Sequence, residues 1–477
     1  MKILKNLIVL SFSFSIAFAQ GNGSIGIGDP RSAGMGNTFM ASSRGVYAIG
    51  KNPANLAIPE SNAFELSTFF PMPNMNLRLG NDFFTLDDYK KYFTGVLDST
   101  GNRVGRYLEG SEKNKFLDLF DAGTAIRTNV SFNLFAITYY PSAAIGAFGF
   151  SINDKLSVRA AFPKDLLDLA FEGNTVGKTF TFDDMDARAW YLRDYTLSYA
   201  RDLTPLLPKF FERVTAGVSL KIVHGYFYVG LDKINTAMTT LDNSNISVSG
   251  NMKMNVAASP DFGIVYDFED TTKAQNIGPF PSPAGSGVGF DLGVSAKLND
   301  IWSFGFAITD IGSISWDEGT VEYTSSGDEF VINDPTNSEL IDSLAESFKG
   351  EGQYTKGFNS GLPTALRLGS SAQVDKYFDS FYGTLLVVVD YNQGFNDLPS
   401  NSTTPRFSIG TEYRPWAWFP LRTGFSFGGL HGFNWGFGFG FDAGLFEFNL
   451  ATSDFQSLVA GNSAKRVGIS MGTRWRF

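Results

Sequence analysis

The chain has 477 residues, a formal net charge of −10, no cysteine, and 51 Gly beside 47 Phe. The acidic balance argues against a nucleic-acid partner, and the missing cysteine excludes disulfides and thiol chemistry. Beyond the N-terminal residues, no run of 18 apolar residues would cross a membrane as a helix, whereas Phe alternating with Gly suits strands with one apolar and one small face.

Lys2 and Lys5 precede an apolar stretch from Leu7 to Ala19 that ends in Ala17-Phe18-Ala19. A short basic region, an apolar core and an A-x-A site predict a cleaved secretory signal at 1–19. Residues 20–60 are rich in Gly, Ala, Ser and Asn, with little apolar periodicity. They contain Gly34-Met35-Gly36 and Asn52-Pro53-Ala54-Asn55-Leu56.

This segment resembles the N-terminal hatch of the FadL family of outer-membrane fatty-acid and hydrocarbon transporters. That family shows a Gly-Met-Gly-type turn followed by an Asn-Pro-Ala-Gly-Leu-type motif. Asn55 stands at the usual Gly, and both tolerate left-handed backbone. Arg44 and Lys51 interrupt the usual small residues. The resemblance implies a hatch at 20–60 inside a barrel at 61–477, within a divergent branch of the family.

Residues 62–79 read as a first strand, with Phe64, Leu66, Thr68 and Phe70 on one face. Residues 86–121 read as a helical insert, with Ser111 as an N-cap. From about 129 the chain alternates. Val214, Ala216, Val218, Leu220 and Ile222 oppose Arg213, Thr215, Gly217, Ser219 and Lys221. Phe433, Trp435, Phe437, Phe439 and Phe441 oppose Asn434, Gly436, Gly438, Gly440 and Asp442. Five aromatics on one exposed strand face would aggregate in water, but in a bilayer that face meets lipid.

The ending, Val467 to Phe477, puts Trp475 and Phe477 on an apolar face and Arg474 and Arg476 on the other. It resembles the terminal strand of outer-membrane barrels, which implies recognition of Trp475 and Phe477 by the barrel assembly machinery.

With the C-terminus taken as periplasmic, short turns fall at 299–300, 374–380, 414–420 and 442–444. Longer external segments fall at 268–286, 325–362, 394–402 and 453–464, with a small amphipathic helix at 336–349. Counting backward gives about sixteen strands if residues 62–79 are left out, against fourteen in the FadL fold. The pairs at 129–162 and 231–256 are the weakest. The expected fold is therefore all-β: a transmembrane antiparallel barrel of 14–16 strands around an N-terminal hatch, in a bacterial outer membrane with lipopolysaccharide.

Gly21-Asn-Gly-Ser-Ile-Gly26 matches G-x-G-x-x-G but lacks the strand before and the helix after that a dinucleotide site needs. His224 reads as a boundary residue on a lipid face with Tyr226 and Tyr228, and His431 as a loop residue. Two distant histidines make no zinc site and mark no nucleophile, so neither an enzyme nor a cofactor is expected. Arg367, Arg422 and Arg474 share the inferred lumen side with Asp442, where charges would pair. The resemblance implies passive uptake of hydrophobic small molecules. The alternative is a scaffold or shuttle for a secretion-system protein. A transporter would show an apolar lumen pocket near the hatch; a scaffold, a sealed lumen and apolar loop tips.

Overall fold

The computed structural model describes residues 29–477 except 61, 208–209, 242–244, 264–277, 279, 326–329, 333–350 and 430–431. The expected signal, His431 and the helix expected at 336–349 lie outside the described residues.

Fourteen antiparallel strands close into one barrel. β1 is Phe64–Thr68 and Asn74–Asn81, β2 Ile126–Ser142, β3 Gly146–Ala161, β4 Asp186–Asp202 and β5 Arg213–Thr240. β6 is Ile246–Ala258 and Gly285–Lys297, and β7 is Trp302–Trp316 and Thr320–Thr324. β8 is Glu351–Tyr354, Phe358–Gly361 and Ala365–Gln373. β9 is Thr384–Gly394, β10 Arg406–Trp416, β11 Phe419–Gly428, β12 Asn434–Asp442, β13 Phe446–Thr452 and β14 Arg466–Arg476. β14 closes the ring on both parts of β1, through Leu66↔Trp475 and Leu77↔Ile469. Closure leaves no free sheet edge, which is what a strand wall needs in lipid. No described helix is long and apolar enough to cross a membrane.

The higher strand count came from reading 231–256 as an extra pair. Those residues are the outer half of β5 and the start of β6. Ala258 lies opposite Phe227, and Gly285 opposite Gly225, so β6 resumes along the same neighbour after an insertion. An insertion within one strand reads in sequence like a turn between two.

Alternation divides the faces as expected. Thr215, Ser219 and Lys221 are buried on the inside, while Val218, Leu220 and Ile222 are exposed outside. A bulge at Tyr226 corrects one expectation. Leu192 faces Gly225, but Tyr191 faces Phe227, so Tyr226 is the extra residue. The slip moves Tyr228 to the inner face, where it packs on Trp316. A one-residue shift exchanges the two faces of a strand. His224 stays on the outer face against Tyr195.

At the far end from the termini, α2 (Leu86–Phe93), α3 (Ser111–Leu117) and α4 (Lys164–Glu172) gather over the barrel mouth. α2 opens with a capping box between Thr85 and Asp88. α3 has Gly110, not Ser111, at its N-cap, with no side-chain cap bond. Phe83, Phe116, Leu117 and Phe120 form the helices' buried core. α5 (Phe455–Ala460) follows β13, and Phe455 packs on Trp435 and Phe437.

Candidate functional site

Residues 29–60 run through the inside of the barrel, and nearly all are buried. The segment opens with α1 (Pro30–Gly34), which Asp29 caps by accepting the Ser32 N–H at 2.9 Å. Gly36 and Asn37 have φ of 66° and 62°, the left-handed turn that Gly34-Met35-Gly36 requires. A tight 3-10 turn, Pro53–Ala57, follows, capped by the Asn52 side chain on the Ala54 N–H. Both motifs therefore make the segment's turns.

The wall makes room for those turns with glycine. Gly410, Gly424 and Gly436 stand opposite one another on β10, β11 and β12. A Cβ on Gly410 would lie 2.7 Å from the Met35 Cβ, and one on Gly436 2.8 Å from the Gly36 N. On the other side, a Cβ on Gly217 would lie 2.5 Å from the Pro53 carbonyl carbon, and one on Gly293 2.9 Å from the Pro53 Cδ. Gly305 and Gly369 clear Met40 in the same way. These approaches exclude any side chain, so the glycine alternation shapes a seat for the segment.

Polar contacts hold the segment there. Arg31 makes two bonds to Glu412, at 2.9 and 3.1 Å. Asp390 accepts the N–H groups of Phe39 at 2.6 Å and Met40 at 3.0 Å. Asn52 donates to Ser295 Oγ at 2.9 Å. Asn55 is not left-handed; its amide donates to the Met40 carbonyl at 2.8 Å and to Ser43 Oγ at 2.9 Å. Glycine could not make those bonds, so here Asn serves as a linker within the segment. Lys51 pairs with Asp29 inside the segment and lies over the Phe39 ring.

The arginines expected in the lumen are there. Arg367 donates to Thr309 Oγ1 and Asn392 Oδ1, each at 3.1 Å, and also covers Phe39. Arg422 meets Glu412 and Asn449, each at 2.6 Å. Arg474 meets Glu447 at 2.6 Å, and Glu65 and Glu60 each at 3.2 Å. Asp442 sits at the terminus-side rim, pairing with Arg414 and Arg476. Trp475 packs on Phe446, and Phe477 exchanges backbone bonds with Phe64. Asp390, Glu412, Glu447 and Asn55 complete this network. The alternation placed the first three on the lumen side, but the lumen-segment partners of Asp390 and Glu412 lie more than three hundred residues away.

A second segment enters from the far end. Residues 395–402, expected outside, fold inward, and Asn401 and Ser402 are buried. Asn401 donates to the Thr364 carbonyl at 3.1 Å and to Asn396 at 2.7 Å. Asn396 donates to the Leu362 carbonyl at 2.8 Å. This loop packs beside a buried apolar group in the far half of the lumen: Trp190, Leu192, Val223, Tyr228, Ile314, Trp316 and Leu362.

Two cavities between the lumen segment and the wall are small and polar. One of 40 Å³ lies between Asn37, Arg78, Lys155 and Ser400. One of 20 Å³ lies beside Tyr47, Lys51 and Asn153. Larger spaces are peripheral. A 510 Å³ cleft at the far end is lined by Tyr92, Phe93, Tyr107, Leu108, Phe116 and Phe171, with Arg106, Glu109 and Lys113 among them. A 630 Å³ vestibule opens on the terminus side of the lumen segment. A 610 Å³ apolar hollow lies on the wall over Ala296 and Ser370, among Phe304, Phe306 and Phe407. Among the described residues no group of three His, Cys, Asp or Glu side chains is placed to hold a metal.

A monoaromatic hydrocarbon channel, the TodX deltaS2S3 mutant, superimposes with a TM-score of 0.50 at 13% identity, covering 95% of this chain and 99% of that one. The Ralstonia pickettii toluene transporter TbuX gives 0.45 at 14% identity, over 94% of this chain and 98% of that one. A Pseudomonas aeruginosa FadL homologue gives 0.41 at 12%, over 96% and 100%. No curated protein sequence matches the chain. The fold is thus shared with the hydrocarbon channel superimposed at 0.50, and with residues 61–453 matching the model of a family of unknown function, DUF5723, the chain belongs to that family.

Proposed function

We propose that this protein is an outer-membrane channel for passive uptake of hydrophobic small molecules, drawn here with its hatch shut. The observation that carries the reading is the aromatic cleft over the far mouth. Its 510 Å³ is within the size range of small-molecule sites, and Phe93, Tyr107, Phe116 and Phe171 offer an apolar body. In the far half of the barrel Trp190, Tyr228 and Trp316 form a packed apolar cluster. Residues 29–60 act as the hatch, held by separate side-chain contacts and not by the backbone ladder of the wall. A solute captured in the cleft passes the apolar cluster and leaves when the hatch shifts. The wall ladder runs from strand to strand beside the hatch, which favours exit through the lumen over exit sideways. The fold is shared with a channel named for monoaromatic hydrocarbons. Lipopolysaccharide outside, the assembly machinery acting on Trp475 and Phe477, and cleavage of residues 1–19 belong to the same reading.

The test is uptake of labelled toluene and decane by cells carrying the wild-type chain or Phe116→Ala. The wild type is expected to accelerate uptake, and the variant to lose at least half of the gain. Uptake equal to that of cells without the protein rejects the reading.

Two observations favour the scaffold reading. Among the described residues the two cavities within the lumen beside the hatch are small and polar, and Leu97, Tyr107 and Tyr354 are exposed by 67%, 81% and 73%. Native mass spectrometry of gently purified protein separates the two. A co-purified hydrophobic molecule supports uptake; a stoichiometric protein partner on an empty barrel supports the scaffold.

A further inference from the structure

The outer wall carries a projection where β1 is interrupted by Phe69-Phe70-Pro71-Met72-Pro73. Thr68 lies opposite Phe135 of β2, and Asn74 opposite Asn133. Five residues therefore stand where β2 has only Leu134, and the excess is pushed out of the wall. Glu65, Ser67 and Asn74 on the lumen side are buried, whereas Phe69 and Phe70 are exposed by 61% and 79%. The projection thus points away from the lumen. Its base is pinned on both sides. The Phe70 carbonyl accepts the Thr68 hydroxyl at 2.6 Å, and the Met72 carbonyl accepts the Thr473 hydroxyl of β14 at 2.9 Å.

Phe69 is the fifth residue after Phe64, where β1 begins beside the terminal Phe477. That places it roughly 17 Å along the strand, well inside the apolar band. Irregular backbone at such depth is tolerated where protein covers it, not where lipid does. The 610 Å³ hollow on the wall has the matching shape and chemistry. Its floor is Ala296 and Ser370, and its sides are Phe304, Phe306, Leu368 and Phe407. Phe306 is the fourth residue after Trp302, where β7 begins, and Leu368 the fifth before Gln373, where β8 ends. Projection and hollow therefore lie at similar depths. The hollow centres on β8, seven strands from β1 in the ring of fourteen, so the two are on opposite sides of the barrel.

We infer that the projection docks in the hollow of a second copy of this chain. Copies inserted in one membrane share an orientation, so projection and hollow meet at the same level without tilting. Apolar groups gain little in lipid from leaving it, and close packing of shapes drives association there. Two phenylalanine rings and the matching surface of the hollow bury roughly 600–1,000 Å² in all, the range of weak, reversible interfaces. Different surfaces meet on the two copies, and they lie on opposite sides, so the contact builds rows and not closed pairs. It does not depend on uptake through the barrel.

The experiment is cross-linking of two differently tagged copies in isolated outer membranes, one carrying Met72→Cys and the other Ser370→Cys. The chain has no native thiol, so only the introduced pair reacts. Copper phenanthroline is expected to link them at least fivefold more than Met72→Cys with Val218→Cys, a lipid-facing site on β5. Adding Phe69→Ala and Phe70→Ala to the Met72→Cys copy should lower the yield at least fivefold. A copy carrying both cysteines should give a ladder of multimers. All variants are checked for folded-barrel mobility on unheated gels. A yield no higher than with Val218→Cys overturns the proposal and leaves the hollow to lipid chains. Preferred linking of Met72→Cys to itself, or to a different protein, overturns it as well.

Discussion

Asp390 of the wall and Phe39 of the lumen segment meet through a 2.6 Å hydrogen bond, and the same carboxylate oxygen takes the Met40 N–H at 3.0 Å. Two consecutive backbone donors, buried where water does not replace the bond, depend on one side chain of β9. Each such donor costs about 1–3 kcal/mol when left unmade. Asp390→Ala is therefore expected to loosen the segment by roughly 2–6 kcal/mol, taking both donors together. Planar-bilayer recordings check this: the wild type should stay near baseline and the variant should show frequent openings. Asp390→Asn keeps an acceptor oxygen and should fall between the two.

The glycine seat gives a steric prediction. Gly217→Ala places its Cβ 2.5 Å from the Pro53 carbonyl carbon, which is backbone and has no rotamer to yield. Overpacking of this kind costs about 1–3 kcal/mol. Limited proteolysis should cut the lumen segment faster in Gly217→Ala than in the wild type. Gly105→Ala, with nothing within 4 Å of the added carbon, should behave as wild type.

Arg474 joins the last strand to Glu447 of β13 and Glu65 of β1, across the barrel closure. Arg474→Met leaves both carboxylates buried without their main cation. Breaking one side of such a group costs about 3–5 kcal/mol. Urea unfolding followed by gel mobility should show a lower midpoint with an unchanged slope.

The inward loop at 395–402 is a second barrier. A cysteine at Ser400 would be the only thiol, since the chain has none. Ser400 shares a 40 Å³ cavity with Asn37, so labelling by a bulky maleimide should be slow. Adding Asn401→Ala removes the bonds to Thr364 and Asn396 and should speed labelling about tenfold, the effect of roughly 1.4 kcal/mol of loop opening. Equal rates would mean the loop is held by other contacts.

Much of this molecule is set by short-range pattern. A period of two sorts Val218, Leu220 and Ile222 outward and Gly217, Ser219 and Lys221 inward whatever the rest of the chain does, because successive strand side chains must point opposite ways. Gly36 and the Asn52-Pro53 pair make their turns from local geometry alone. The terminal run to Phe477 shows which face would meet lipid before any partner strand is known. These features were enough to read a barrel; the inner segment was expected only from its resemblance to the FadL hatch.

What the tertiary structure decided depends on which distant residues come together. Asp390 had to meet Phe39, 351 residues away, before either had a docking role. Asn55 looked like a glycine substitute until Met40, Ser43 and Ser295 surrounded it. Tyr228 moved to the inner face because one bulge at Tyr226 shifted the register, a choice made by the neighbouring strand. The loop at 395–402 turned inward, where the carbonyls of Leu362 and Thr364, at a break in β8, accept from Asn396 and Asn401. Alternation is a property of each strand by itself, whereas register, burial and pairing are properties of the closed ring, and only closure fixed them.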